Sequence, residues 1–293
     1  MGTFARSWEL TKVSFNAMKQ DKELILFPIL ALIFSLLFIV AMVLPSILAL
    51  LHFGNGIKQF GILQYVLLFI LYLGLSFIST FFSVCVVYTT KKRFEGGNAT
   101  FGESINFAFS RLHLIIMWSI VSATVGLVLR IIERMAERLG WIGRLFVNIT
   151  TSILGAVWSI VTIFVVPVMV YQNLGHFDAI KKSAEVLKKT WGESIIRYIG
   201  FGLIEFFFLM AGIIVMLPLI ILSLNLGMHL IISEILISVL YFFGVILVFS
   251  LANSIFNTAL YVYSDTGKIP RGYSKEIMAN AFKRKGQSYM HAR

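Results

Sequence analysis

The stretch Asp178–Ile204 reads DAIKKSAEVLKKTWGESIIRYIGFGLI, and its reading decides how the rest of the chain is understood. Lysines stud its first half, and its second half opens a long apolar run. Ile180, Ala184, Leu187 and Trp191 recur at spacings of four, seven and eleven, so they share one helical face behind Asp178 as the expected N-cap. Lys181, Lys182, Glu185, Lys188 and Lys189 fall largely off that face. Glu185 precedes Lys188 and Lys189 by three and four residues, the favoured order for helix ion pairs. An apolar stripe with a tryptophan, flanked by lysines, describes a helix lying among lipid headgroups. The plainer alternative is a solvated connector.

What surrounds this stretch is built for lipid. Of the 293 residues 58% are hydrophobic, 27 are Phe and only 13% are charged, about half the share of a soluble domain. Six runs, near 24–51, 60–90, 112–132, 141–171, 195–224 and 229–264, reach the roughly 20 apolar residues that a membrane-crossing helix needs. Several exceed that length, so tilt or extension beyond the hydrocarbon is expected. The first run is too long for the core of a signal peptide and is expected to stay in the membrane. Cys85, the only cysteine, has no disulfide or metal-type partner in the sequence and reads as a small buried residue.

The net charge of +11 is unevenly spread. Four basic residues precede the first run, four lie from Lys91 to Arg111, five from Lys181 to Arg197, and seven from Lys268 onward. Twenty of the 25 therefore fall on one side, which predicts a multi-pass cell-membrane protein with cytoplasmic N- and C-termini. Anionic lipid on the cytoplasmic face is the expected partner, and nucleic acid is not.

Two further segments resemble the opening one. Near the N-terminus Phe4, Trp8, Phe15 and Met18 approximate a helical face beside Lys12 and Lys19; Trp8 and Lys12 are expected lipid contacts. Pro28 follows at the start of the first run. In NATFGESINFAFSRLHLIIMW, Asn98 or Thr100 can cap a helix whose face is Phe101, Ile105, Phe109 and Leu112. The expected fold is thus an all-α membrane protein of six transmembrane helices. They form three hairpins, each preceded by a cytoplasmic interfacial amphipathic helix. The single domain 1–266 would divide into repeat units 1–95, 96–176 and 177–266, with a basic cytoplasmic tail at 267–293.

Ionisable groups inside such spans are expensive and mark candidate sites. Glu205 lies eight residues past Arg197, roughly 12 Å along the helix. The sixth run returns with Ser250, Asn253, Ser254, Asn257 and Thr258 near one face. Glu205 with Asn253 and Asn257, flanked by Ser250 and Ser254, is the candidate polar site. The competing reading is hydrogen-bonding glue between helices. Small residues suggest packing faces at Ser76–Ser83, at Ser119, Ser122, Ala123 and Gly126, and at Ser152, Gly155, Ser159 and Thr162. Pro167 and Pro218 are expected kinks. RIIERMAERLGWIGRL reads as a charged hairpin tip with Arg130–Glu133 and Arg134–Glu137 pairs.

SWELTKVSF, DKELILFP, VSATVGLVLRIIE, GWIGRL and above all VWSIVTIFVVPVMVYQNLGHFDAIKKSAEVLKKTWGE resemble a group of prokaryotic integral membrane proteins known as a domain of unknown function. The resemblance runs from Ser7 to Glu193 and more loosely beyond. The basic A-I-K-x-S helix feeding a span is more distantly similar to membrane domains attached to glycerophosphodiester phosphodiesterases, although this chain has no room for their soluble barrel. The resemblance implies a six-helix membrane protein and transfers no catalytic residue.

No phosphate loop, dinucleotide glycine motif or HExxH occurs, and the five histidines are scattered. No catalytic residue, metal or cofactor is expected. The favoured role is a non-enzymatic module binding lipid or a partner. Next comes a transporter or channel for a lipid-like or small solute, using the polar site around Glu205. An intramembrane enzyme acting on lipid comes last.

Overall fold

The computed structural model describes residues 23–53, 61–191, 195–224 and 227–273. Nine helices and no strand occur among them: α1 Glu23–Phe53, α2 Gly61–Phe94, α3 Phe101–Ser110, α4 Leu112–Ala136, α5 Trp141–Val161, α6 Val165–Gln172, α7 His176–Trp191, α8 Ile195–Ser223 and α9 Met228–Thr266. Backbone groups find no water in hydrocarbon, so a helix that satisfies its own hydrogen bonds is the structure these apolar runs can adopt.

Six stretches are long and apolar enough to cross a membrane: Glu23–Pro45, Ile62–Phe94, Leu112–Ala136, Trp141–Gln172, Ile204–Ser223 and Met228–Thr266. The chain is a multi-pass membrane protein. With 34 and 39 residues, α2 and α9 measure roughly 51 and 58 Å and outrun a hydrocarbon core of about 30 Å. The fourth span is two helices, α5 and α6, separated by a turn at 162–164.

The chain divides into two compact units. One comprises Leu26–Thr89 and Asn98–Leu187. Here a Cβ at Gly74 would collide with the Phe38 ring, and Phe34 stacks on Phe82, so α1 and α2 run side by side. α4 packs on α5, with Trp118 stacked on Trp158 at 5.9 Å. Ser119 and Ala123 of α4 are buried and Gly126 lies under the Tyr72 ring, so this small-residue face does pack. The matching face on α5 does not: Ser152 and Ser159 are exposed.

The other unit comprises Glu23–Ile25, Thr90–Gly97 and the described residues from Lys188 onward. α8 packs along α9. A Cβ on Gly212 would collide with the Tyr241 ring, and the Tyr241 hydroxyl donates to the Phe208 carbonyl at 2.9 Å. Beyond α9, Pro270 and Tyr273 are buried, and Tyr273 packs edge-on against Phe94. Pro270 and Tyr273 thus pack while the residues between and before them stay exposed.

Three local expectations change. Pro28 lies inside α1, not at its start. Asp178 is not the N-cap of its helix, which begins at His176 and holds Asp178 in its first turn. Arg130 pairs with Glu133 at 3.1 Å, but Arg134 donates to Gln64 Oε1 at 3.0 Å and covers the Tyr65 ring, because α2 stands beside it. Pro218 sits within an uninterrupted α8. The expected N-terminal helix with Trp8 and Lys12, and the tail beyond Tyr273, lie outside the described residues.

Candidate functional site

The fourth span breaks where its proline dictates. Pro167 has no N–H to give the carbonyl four residues back, and its ring crowds that position. The chain tightens just ahead of it: Ile163 N–H donates to Ile160 O at 3.4 Å and Val165 N–H to Thr162 O at 3.0 Å. In a continuous helix Val161 O would accept from Val165, and Phe164 N–H would donate to Ile160 O. Both groups are displaced from those partners.

Ser183 of α7 meets both. Its hydroxyl donates to Val161 O at 2.6 Å and accepts from Phe164 N–H at 3.1 Å, and both Ser183 and Phe164 are fully buried. The opening stretch of the sequence therefore supplies a hydroxyl plug for a gap in a neighbouring span. The buried face of α7 is Ala179, Ser183, Val186 and Leu187. Ile180 and Ala184 are half-buried flanks. On the free side Phe177 is 71% exposed, and Lys181, Glu185 and Lys188 are exposed. Phe177, Lys181 and Lys188 are four and seven residues apart, which aligns them along the helix. Lys182 is half-buried; the side chains of Lys189 and Trp191 lie outside the described residues.

α3 docks in a similar way. Thr100 caps it, accepting from Glu103 N–H while Glu103 accepts from Thr100 N–H, a closed capping box. Its buried residues are Ser104 and Ala108, whereas Phe109 of the expected face is 57% exposed. Ser104 Oγ lies 2.7 Å from Thr89 Oγ1 near the end of α2, and Thr89 donates to Cys85 O at 3.0 Å.

For the polar site, the α8–α9 register is the decisive geometry. Gly212 faces Tyr241 and Phe242, and Phe208 packs on Phe249. Carried down antiparallel helices, these pairs set Glu205 level with the segment from Val248 to Ala252. Glu205 is seven residues before Gly212, so it shares the face that meets α9. Asn253, four beyond Phe249, shares the opposing face one residue past that level. Glu205, Asn253 and Ser254 are half-buried and Asn257 is buried. Ser250 is exposed, and Asn257 sits more than a turn further along. Glu205 also lies 18 residues before Ser223, roughly 27 Å along the helix, close to a full hydrocarbon thickness from the end of α8.

A sequence family described as a family of unknown function, DUF6159, matches residues 62–271. The chain belongs to DUF6159. The match spans α2 through α9 and so contains Ser104, Ser183, Glu205 and Asn253. It begins after SWELTKVSF and DKELILFP and extends well past Glu193. No curated protein and no solved structure matches the chain. The membership transfers no role to any residue, so the chemistry of this DUF6159 chain rests on its geometry. Among the described residues no cluster of three or more His, Cys, Asp or Glu is placed to hold a metal ion.

Sequence reading passed over Ser104, Thr89 and Ser183. The available signal was Pro167 inside an apolar run. A proline there displaces backbone groups, and a short polar side chain nearby is what would meet them.

Proposed function

We propose that this DUF6159 protein is a non-enzymatic membrane module that binds anionic lipid through the free face of α7. The observation carrying this reading is the two-sided character of that helix. Its small residues are turned into the bundle, while Phe177, Lys181 and Lys188 remain exposed. A large apolar side chain beside ammonium groups suits the boundary between acyl chains and phosphates. On this reading the lysine-bearing end faces the cytoplasm, both termini lie there, and α3, α7 and an N-terminal counterpart with Trp8 and Lys12 precede three outward hairpins in the cell membrane.

Native mass spectrometry in a mild detergent tests the reading. The wild type should retain phosphatidylglycerol over phosphatidylcholine, and Lys181→Gln/Lys188→Gln should lose that preference. Equal retention by both proteins would remove α7 as the lipid site.

A transporter for a lipid-like or small solute is the second reading, supported by Glu205 on the α9-facing side of α8 and by Asn253 one residue past its level on α9. An acid and an amide so placed suit a proton, an ion or a polar headgroup. Proteoliposome flux that Glu205→Gln abolishes, with an unchanged melting temperature, would move the assignment to transport. Absence of flux in the wild type would leave Glu205 as packing glue.

A further inference from the structure

The two-sided α7 has a consequence for the span beneath it. We propose that α7 is a strap whose Ser183 hydroxyl holds the fourth span in its broken form, and that anionic lipid on the free face of α7 tightens this hold. The proposal rests on the lipid reading above for its second half only.

The backbone carries the first half. At the α5–α6 break, Val161 O and Phe164 N–H have left their helical positions, and one buried hydroxyl serves both. Val165, Val168, Met169 and Val170 around the break are buried and apolar. An unmet carbonyl or amide in hydrocarbon costs several kcal/mol, so lifting α7 forces the span to respond. Either the 162–164 turn rewinds, swinging α6, or the two groups stay exposed and exchange with solvent. The bend at Pro167 and the position of α7 are thus one equilibrium. Ala179, also fully buried on the same face, permits the close approach that the hydroxyl needs.

The second half follows from linkage. A ligand that binds the docked strap better than the lifted one shifts the population toward docking by its differential affinity. In the docked state Phe177, Lys181 and Lys188 are held in line on the outer side while Ser183 is held on the inner. Glu185 lies among them and moderates the positive charge, so the effect is expected to be graded and not all-or-none.

Hydrogen–deuterium exchange on the full chain in nanodiscs reads both halves. The reporter is the peptide covering 161–169, in phosphatidylcholine alone and with phosphatidylglycerol added. Ser183→Ala should speed exchange there at least tenfold in both lipids, leaving the α8–α9 hairpin unchanged. In Pro167→Ala, where the span can run as one helix, the further change Ser183→Ala should have little effect. Phosphatidylglycerol should slow exchange at 161–169 in the wild type and not in Lys181→Gln/Lys188→Gln. Unchanged exchange in Ser183→Ala would overturn the strap. Phosphatidylglycerol that binds at α7 without slowing exchange would overturn the coupling and leave the lipid reading standing. Phosphatidylglycerol that fails to bind at all would overturn the lipid reading and, with it, the second half alone.

Discussion

α3 and α7 are both short helices that dock by a buried serine, yet they hold different things. Ser104 of α3 meets a side chain, Thr89, on an unbroken α2, and Thr89 keeps its own bond to Cys85 O. Ser183 of α7 meets two main-chain groups at a break. The capping box fixes α3 locally, and its ten residues include one acid and no lysine. α7 carries four lysines over 16 residues. Identical docking chemistry thus yields a peg in one case and a strap in the other. What separates them is whether the neighbouring span needs the hydroxyl.

The sharpest way to break that comparison is to remove each hydroxyl. Ser183→Ala removes the partner of a buried donor and a buried acceptor, and each costs about 1–3 kcal/mol, so a loss of about 2–6 kcal/mol is expected. Ser104→Ala removes its contacts with Thr89 Oγ1 and Thr100 O but leaves Thr89 bonded to Cys85 O, which predicts about 1 kcal/mol. Unfolding of the two variants in detergent against the wild type measures both. Equal losses would mean that the break in the fourth span does not depend on α7.

The second test concerns the outer faces. Each lysine near an anionic surface contributes about 1 kcal/mol. With Glu185 offsetting part of this, Lys181→Gln/Lys188→Gln should weaken phosphatidylglycerol binding about tenfold. Glu103→Gln on α3 should leave that binding within a factor of about two. Titration of the detergent-solubilised protein with short-chain phosphatidylglycerol measures the pair. A comparable loss from α3 would erase the distinction between peg and strap.

These tests also mark where the sequence was readable. The six spans were legible because length and apolarity are the whole requirement for crossing hydrocarbon. The A-I-K-x-S segment was legible as a helix, but its buried face only in part. Of the expected stripe Leu187 is buried, but Ile180 and Ala184 are half-buried, one position away from the buried Ala179 and Ser183. The same slip occurs on α3, where Phe109 is exposed and Ser104 and Ala108 are buried. In water a large apolar side chain gains by turning inward. In lipid it gains little, and close docking selects small residues instead. That α8 packs along α9 was legible, because the two runs adjoin in the sequence. The exposure of Ser250 was not, since helical spacing alone leaves the rotation of α9 open.

The smallest effect separates the two helices at their starts. Thr100 accepts from Glu103 N–H and closes a capping box, so Thr100→Ala should cost about 1 kcal/mol. Asp178 stands in the first turn of α7, where its charge acts only on the helix dipole; Asp178→Asn should cost about 0.5 kcal/mol. Salt distinguishes the two mechanisms. The Asp178 effect is a charge–dipole interaction at an exposed site and should fade as ionic strength rises to 1 M, where screening acts within about 3 Å. The Thr100 effect comes from a directional bond between a hydroxyl and an amide and should persist. Melting temperatures of both variants at low and high salt decide the matter. A salt-independent loss at Asp178 would show that it fastens α7 by a specific bond, and α7 would then be a second peg, pinned at its start as firmly as α3.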